Sequence, residues 1–240
     1  MKTRLDRLLV ARGLAESREK AQALIMAGEV LLNGQKAAKP GQTAAEDAVL
    51  GVLARPPYVS RGGLKLAAAL SHFAIDITGE TCIDIGSSTG GFTDALLQAG
   101  AARVHAVDCG AGQLDWKLRN DARIAVHEGI NARNLAFADI GELAGLVTCD
   151  VSFISVTLIL PAAVPLLRSS GQMVILIKPQ FEVGKGKVGK GGIVRDPELH
   201  RAACDRIERA VKEFGFETSL MDSPILGAEG NKEFLLHGRR

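Results

Sequence analysis

The segment Asp84-Ile-Gly-Ser-Ser-Thr-Gly-Gly-Phe-Thr93 closes an apolar strand, predicted over 81–86, and leads into a helix through a glycine-rich turn. Gly86, Gly90 and Gly91 permit tight turning and a close approach of the backbone to a ligand. Their spacing differs from the G-x-G-x-x-G pattern of dinucleotide-binding turns, and the turn contains no basic residue to neutralise a phosphate. We therefore expect a pocket for a nucleoside that carries no phosphate.

On both sides of this turn, apolar strand-like runs alternate with helical stretches. The predicted strands are 81–86, 103–108, 146–150, 173–178 and 234–237, and the predicted helices are 92–99, 155–168 and 197–214. Such alternation is typical of an α/β fold, here a Rossmann-like, doubly wound and mostly parallel sheet. Ligands of these sheets bind beyond the carboxyl ends of the strands.

A carboxylate at the end of the second strand supports a nucleoside pocket. Asp108 stands 24 residues after Asp84, the usual place for an acid that binds ribose hydroxyls. S-adenosylmethionine fits these requirements, whereas a glycine-rich turn without any ligand is the alternative. The candidate cofactor-binding residues are Asp84, Gly86, Ser87, Gly90, Gly91, Phe92, Asp108 and Asp150.

The same turn also matches a hydrolase motif. Residues 86–90 fit G-x-S-x-G, with Ser88 in the position of a nucleophile and Asp196 and His200 or His237 later in the chain. This interpretation leaves the two acidic residues of the nucleoside pocket without a role. We therefore favour the nucleoside pocket.

Four charged residues lie beside predicted strands or near the start of a helix: Lys65, Asp150, Lys178 and Glu233. Asp150 and Lys178 each end a strand, so both belong to the ligand side of the sheet. Lysines and carboxylates among apolar strand residues are costly to bury unless they pair. Each alone is more often a surface charge, but together the four predict a cluster.

Composition excludes several other classes of protein. The four cysteines are scattered, and neither a CxxC pair nor an HExxH motif occurs, so we expect no metal and no disulfide framework. No run of about 18 apolar residues is present, and residues 1–4 lead into an amphipathic pattern rather than a signal peptide. A cytoplasmic protein that does not bind membranes is expected, with a monomer favoured.

The first 61 residues differ in charge from the rest of the chain. They hold ten Lys and Arg against six Asp and Glu, whereas the remainder holds nineteen against twenty-one. A helical pattern over 5–12 ends at Gly13, Ser17 is a candidate N-cap for a second helix, and a strand over 30–34 enters an Asn-Gly turn. A basic module of this kind is typical of nucleic-acid binding.

These residues resemble the RNA-binding module of small-subunit ribosomal protein four, tyrosyl-tRNA synthetases and some pseudouridine synthases. The similarity rests on 4–9, 17–18, the helix through Gly28 and 30–34. It implies a small α+β RNA-binding domain over 1–54, a stiff linker over 55–60 and a second domain over 61–240. The candidate phosphate contacts in the module are Arg4, Arg7, Arg18, Lys20, Lys36 and Lys39.

From end to end, the chain resembles the TlyA (hemolysin A) family, which joins this module to an FtsJ-like methyltransferase domain. FtsJ-like enzymes use a Lys–Asp–Lys–Glu tetrad, matched in order by Lys65, Asp150, Lys178 and Glu233. The resemblance implies S-adenosylmethionine-dependent 2′-O-methylation of a cytidine in ribosomal RNA, with that RNA or a ribosomal subunit as partner. The ends of the chain are similar to the short form of the family, which favours the large subunit.

Within this interpretation we expect Lys178 to contact the 2′-hydroxyl, either accepting its proton or only orienting it. The segment 184–192 lacks the G-K-[ST] ending of a phosphate-binding P-loop and predicts an RNA-contacting loop through Lys185 and Lys187. Two alternatives remain open at this point. The chain could be a non-catalytic RNA-binding or ribosome-assembly protein, or a membrane-active hemolysin.

Overall fold

The computed structural model describes residues 2–53, 56–184 and 186–240. By its internal contacts the chain divides into two compact units, Met1–Pro56 and Pro57–Arg240. The candidate Lys185, the last residue of the predicted RNA-binding domain (54) and the first residue of the predicted linker (55) lie outside the described residues.

The smaller unit combines two helices with short antiparallel strands around its own apolar core. Ser17 caps the second helix, because its Oγ accepts a hydrogen bond from Lys20 N at 3.2 Å. Asn33 (φ 52°) and Gly34 (φ 82°) form the predicted Asn-Gly turn with left-handed backbone. The elements are β1 Lys2–Arg4, α1 Leu5–Ala11, α2 Arg18–Met26, β2 Val30–Leu32, β3 Gln35–Lys36, β4 Thr43–Ala45 and β5 Leu50–Val52.

The larger unit is an α/β domain. Its strands are β6 Thr81–Ile85, β7 Arg103–Asp108, β8 Ile124–Glu128, β9 Ala144–Cys149, β10 Leu167–Ile177, β11 Glu217–Asp222 and β12 Phe234–Arg239. Its helices are α3 Gly62–His72, α4 Gly91–Gln98, α5 Trp116–Arg119, α6 Phe137–Ile140, α7 Leu160–Ala163, α8 Pro179–Glu182 and α9 Pro197–Lys212.

Within the described residues these strands form one seven-stranded sheet in the order β11-β12-β10-β9-β6-β7-β8. The five strands from β10 to β8 are parallel, and β12 and β11 add to the β10 edge in antiparallel fashion. Alternate residues of β6 enter separate cores, with Cys82 packing among residues of α3 and α4 and Ile83 among residues of α7 and α9. Helices therefore cover both faces, which confirms the doubly wound α/β architecture.

One predicted helix differs from the structure, and one strand was not predicted. The helix expected over 155–168 is replaced by α7 between two short 3-10 turns, Val156–Leu158 and Val164–Leu166, and β10 already begins at Leu167. Pro161 and Pro165 each remove a backbone donor from this stretch, which limits a continuous helix. Strand β11 is the element without a prediction, because its mixed polar and apolar residues give only a weak strand pattern.

Candidate active site

The glycine-rich turn after β6 requires the absence of side chains at two positions. Gly86 has a φ of +84°, and a Cβ added there would lie 2.3 Å from the carbonyl oxygen of Asp150. Gly90 has a φ of +94°, and its Cβ would lie 2.3 Å from Leu118 Cδ1. At Gly86 the left-handed backbone and the backbone contact both demand glycine, whereas at Gly90 the left-handed backbone is the main requirement because leucine side chains can shift.

Asp84 lies beneath the turn rather than on a cavity wall. Its carboxylate is fully buried and accepts hydrogen bonds from Thr93 Oγ1 at 2.7 Å and Thr148 Oγ1 at 2.9 Å. Burial raises its pKa to about 6, against the effect of the two hydroxyl hydrogen bonds. This candidate fastens α4 and β9 to β6, and it lines neither cavity described below.

A cavity of about 480 Å³, here called the Asp108 cavity, opens at the carboxyl ends of β6 and β7. Asp108 stands on its wall, where its Oδ2 accepts a hydrogen bond from Ser88 N at 2.8 Å and its Oδ1 accepts one from Gly110 N at 2.7 Å. These bonds fix the carboxylate while leaving further lone pairs to accept hydrogen bonds from a ligand.

The lining of the Asp108 cavity fits a nucleoside. Val107, Ile130 and Ile159 supply apolar surface for a base, next to the carboxylate that suits sugar hydroxyls. The segment 130–133 after β8 also lines this cavity, although it is absent from the candidate cofactor-binding residues of the sequence analysis. The position of this segment directly after a parallel strand was the sequence feature that could have identified it as part of a ligand pocket.

A second cavity of about 450 Å³, here called the Lys178 cavity, holds most of the tetrad. Lys178 Nζ lies 2.6 Å from Asp150 Oδ1 and donates a hydrogen bond to Ser152 Oγ at 2.9 Å. Lys65 Nζ lies 2.5 Å from Glu233 Oε2, and both of these side chains are buried. The structure thus arranges the four residues as two ion pairs.

The strand registers explain why these charges meet. Antiparallel pairing of Ile177 with Phe234 brings the end of β10, before Lys178, to the start of β12, after Glu233. Parallel pairing of Ile85 with Cys149 sets Gly86 next to Asp150. Asp150, Lys178 and Glu233 therefore lie at or near the carboxyl edge of the parallel strands, and Lys65 of α3 joins them through its ion pair with Glu233.

The two cavities share walls, so ligands in them would meet. Gly86, Ser88, Asp150 and Ser152 line both cavities. The Lys178 cavity is also lined by Arg61 and by the candidates Ser87, Gly91 and Phe92. Gly90 lines neither cavity and serves packing instead. Such a junction can hold a nucleophile beside Lys178 and an electrophile beside Asp150.

The loop after β9 is fastened by a residue that the sequence analysis did not identify. Glu182 of α8 is buried, and its carboxylate accepts hydrogen bonds from Ser155 Oγ at 2.6 Å and Val156 N at 2.9 Å. Burial raises its pKa, with these hydrogen bonds opposing the effect. No local pattern marks this contact, because the partners come from separate elements.

Phe153, within this loop, is unusually placed for an aromatic residue. It has a φ of +65° and a side chain 92% exposed, and it lines the Asp108 cavity. A non-glycine residue with this backbone conformation is strained, and apart from a tilted ring contact with Phe181, at 5.1 Å between ring centroids, most of the ring is left exposed. The combination indicates a contact surface for a planar ligand group.

The candidate RNA-binding residues fall into two groups. Arg4 and Arg18 are held by the buried Asp6, at 2.8 and 3.0 Å, and these contacts hold the pKa of that carboxyl far below its usual range. The other described candidates have exposed side chains: Arg7, Lys20, Lys36, Lys39 and Lys187.

The hydrolase motif lacks a base in the structure. Ser88 Oγ donates a hydrogen bond to Gln113 Oε1 at 3.2 Å. Among the described residues no histidine lines either cavity, and His200 binds the carbonyl oxygen of Val194 elsewhere. Across residues 2–53, 56–184 and 186–240, no cluster of potential metal ligands occurs. Within the same ranges, no helix has the length and apolarity to span a membrane.

Known proteins and protein families match this chain over both of its units. Residues 58–240 match the model of the FtsJ-like methyltransferases, and residues 3–50 match that of the S4 domain. The 16S/23S rRNA (cytidine-2′-O)-methyltransferase TlyA of Mycobacterium tuberculosis is 46% identical over 238 residues, covering 98% of this chain and 89% of that protein. Hemolysin A of Brachyspira hyodysenteriae is 42% identical, covering 98% of both. A solved structure of a hemolysin candidate from Streptococcus thermophilus is 43% identical, with a TM-score of 0.76 over 100% of this chain and 88% of that one.

Proposed function

The chain belongs to the FtsJ-like methyltransferase family and carries an S4 domain, and on that premise we propose that it methylates the ribose 2′-hydroxyl of a cytidine in ribosomal RNA. The observation that carries this proposal is the junction of the two cavities, where the Lys178–Asp150 pair stands between them. We assign RNA binding to residues 1–54 and catalysis to residues 61–240.

S-adenosylmethionine, when bound, supplies a sulfonium methyl group that is already strongly electrophilic. The Asp108 cavity would hold its nucleoside, with Asp108 accepting hydrogen bonds from the ribose and Ile130 and Ile159 against the adenine. Gly86 lets the backbone approach the ligand closely. Asp84 and Gly90 contribute by shaping the turn from beneath, without contacting the ligand.

The enzyme has to align the 2′-hydroxyl with the methyl group and manage one proton. Lys178 would contact that hydroxyl and either accept or steer its proton, while Asp150 and Ser152 fix the orientation of the ammonium group. The buried pair of Lys65 and Glu233 would form the far wall and exclude water from the reacting groups.

The target nucleotide would enter through the Lys178 cavity. Arg61, exposed on its rim, suits a phosphate, and the exposed ring of Phe153, on the wall of the adjoining Asp108 cavity, suits stacking with a nucleobase. RNA modules that act on single nucleotides commonly stack the unpaired base on an aromatic side chain. These contacts would position the ribose, and the S4 domain would add affinity for the surrounding phosphates.

Mass-spectrometric mapping of ribose methylation tests this function. Ribosomal RNA from both subunits would be compared between cells with the gene, cells without it, and deleted cells carrying Lys178→Ala. We expect one or more 2′-O-methylcytidines to be present only with the intact gene. Identical methylation in all three strains would overturn the proposal and favour a non-catalytic RNA-binding protein.

A further inference from the structure

A basic groove lies beside the active-site loop, outside both cavities of the proposed reaction. It has a volume of about 260 Å³ and runs between α8, the segment that follows it and one face of α9. Val183, Leu199 and Ala203 contribute apolar surface to its lining. Its cations are Lys187, Arg206 and Arg209.

Two of the three cations of this groove have no carboxylate partner among the described residues. Arg209 and Lys187 have no ion-pair partner among the described residues, and Arg209 Nε donates only to the carbonyl oxygen of Asp205 at 3.2 Å. Lys212, on another face of the same helix, is paired with Glu208 at 3.0 Å. Within the part of the chain that the structure describes, two cations are therefore left unpaired where the groove lies, although Arg201 on another face of α9 is unpaired as well.

Glu182, the carboxylate in the lining, cancels only part of this charge through a long ion pair with Arg206. Its oxygens already accept hydrogen bonds from Ser155 and Val156, and Arg206 Nη1 stays 3.9 Å from Oε2 while donating to the Glu182 carbonyl oxygen at 2.7 Å. The guanidinium of Arg206 thus keeps other donors for an anion. Arginine forks match phosphate oxygens in geometry as well as in charge.

We propose that this groove binds a phosphodiester segment of the substrate RNA, away from the nucleotide that is methylated. The inference rests on the proposed function and adds a binding site to it. Glu182 connects the two places, because it lines the groove and also fastens the loop that carries Asp150 and Phe153. RNA held in the groove would thereby be aligned relative to the reacting ribose.

Removal of charge at two positions tests the groove without disturbing Glu182. The variants are Lys187→Gln, Arg209→Gln and their combination, and Lys212→Gln is the matched control on α9. Affinity for protein-free ribosomal RNA from gene-deleted cells would be measured over a range of salt concentrations. Each phosphate contact contributes about 0.7–0.9 to the slope of log affinity against log salt.

We expect the double variant to lower that slope by about 1.5 and to raise the KM for RNA several-fold, with little change in kcat or in affinity for S-adenosylmethionine. Lys212→Gln should behave like the parent. An unchanged slope in the double variant would overturn the groove while leaving the methyltransferase intact. A loss of affinity confined to whole ribosomal subunits would also overturn it, since it would indicate an acidic protein as partner. Absence of methyl transfer by the parent enzyme would instead count against the proposed function.

Discussion

Gly86 and Asp150 approach each other so closely that a Cβ on the first would lie 2.3 Å from the carbonyl oxygen of the second. Gly86→Ala should therefore displace Asp150 and weaken binding of S-adenosylmethionine by tenfold or more, as measured by calorimetry. Gly79→Ala is the matched control, because Gly79 has a similar φ of +76° with nothing within 4 Å of its Cβ. Both variants should lose about 1–2 kcal/mol of stability from the left-handed backbone. Equal cofactor affinity in the two variants would contradict a steric role for Gly86.

Replacements of Lys178 distinguish a role in handling the proton of the 2′-hydroxyl from a role in binding the cofactor. Lys178→Ala should abolish methyl transfer while cofactor affinity changes little, since Lys178 lines only the second cavity. Lys178→Arg keeps the charge but cannot accept a proton. Single-turnover assays with labelled methyl groups would show activity in Lys178→Arg only if the residue orients the hydroxyl. Full turnover by Lys178→Ala would remove the residue from the mechanism.

Loss of one partner of the buried Lys65–Glu233 pair should cost more stability than loss of both partners together. Glu233→Leu leaves the Lys65 ammonium buried without its partner and should reduce the free energy of unfolding by about 3–5 kcal/mol. Lys65→Met combined with Glu233→Leu should lose much less. Urea denaturation of the single and double variants would measure the difference, and additive losses would show that the pair is not coupled.

Loss of the Phe153 ring should affect RNA rather than folding. Phe153→Ala should lower kcat/KM for RNA about tenfold or more, because stacking of one base contributes about 1–3 kcal/mol. Its side chain is 92% exposed, so the melting temperature should hardly change. Trp116→Ala, at a ring 69% exposed that lines neither cavity, is the control. Recovery of kcat/KM by Phe153→Tyr would support stacking, and equal losses in the Phe153 and Trp116 variants would argue against it.

Asp84 should make the protein less stable as pH rises through the mildly acidic range. Burial raises its pKa from the ordinary 3.8 to about 6, so the native state binds the proton more tightly than the unfolded state does. The stability lost by ionising Asp84 in the folded protein is therefore zero below about pH 4 and reaches its full value above about pH 6. Asp84→Asn avoids this cost, and its stability relative to the parent should rise by on the order of 3 kcal/mol across that window.

Asp121→Asn provides the control of opposite sign for Asp84. A hydrogen bond from Arg123 lowers the pKa of Asp121 to about 2, so the stability it contributes is present above its ordinary pKa and is lost as the pH falls toward 2. Chemical denaturation at several pH values would compare both variants with the parent. A difference for Asp84→Asn that stays constant with pH would contradict ionisation of the buried carboxyl.

The sequence predicts the charged cluster because the direction of the strands alone brings two of its members to one edge of the sheet. Parallel strands end at one edge of a sheet, so Asp150 and Lys178 had to be neighbours once both were placed at strand ends. Pairing within the cluster, such as Lys65 with Glu233, depends on the antiparallel β12, whose direction no local pattern encodes. Asp84 was expected to contact the cofactor because of its place in the motif, but its side chain points to two threonines.

Contacts between elements that are distant in the chain were the least predictable. Glu182 is in a helix of four residues, too short to show a periodic pattern, and its partner Ser155 is 27 residues away. The 155–168 stretch has helical composition, yet Pro161 and Pro165 limit it to short turns. The Glu182 contact depends on tertiary packing, whereas the short turns follow from two prolines that are visible in the sequence.

Lys178 and Glu182 are separated by a single turn of α8, yet they hold opposite ends of the 150–156 loop. Lys178 would face the ribose, and Glu182 fastens the loop that forms one wall of the nucleoside pocket. The same short stretch of chain thus positions both features. A substitution in α8 that touches no ligand would then change the affinities for cofactor and for RNA together. Coupling between the affinity for cofactor and the affinity for RNA would therefore require only this short helix and no domain movement.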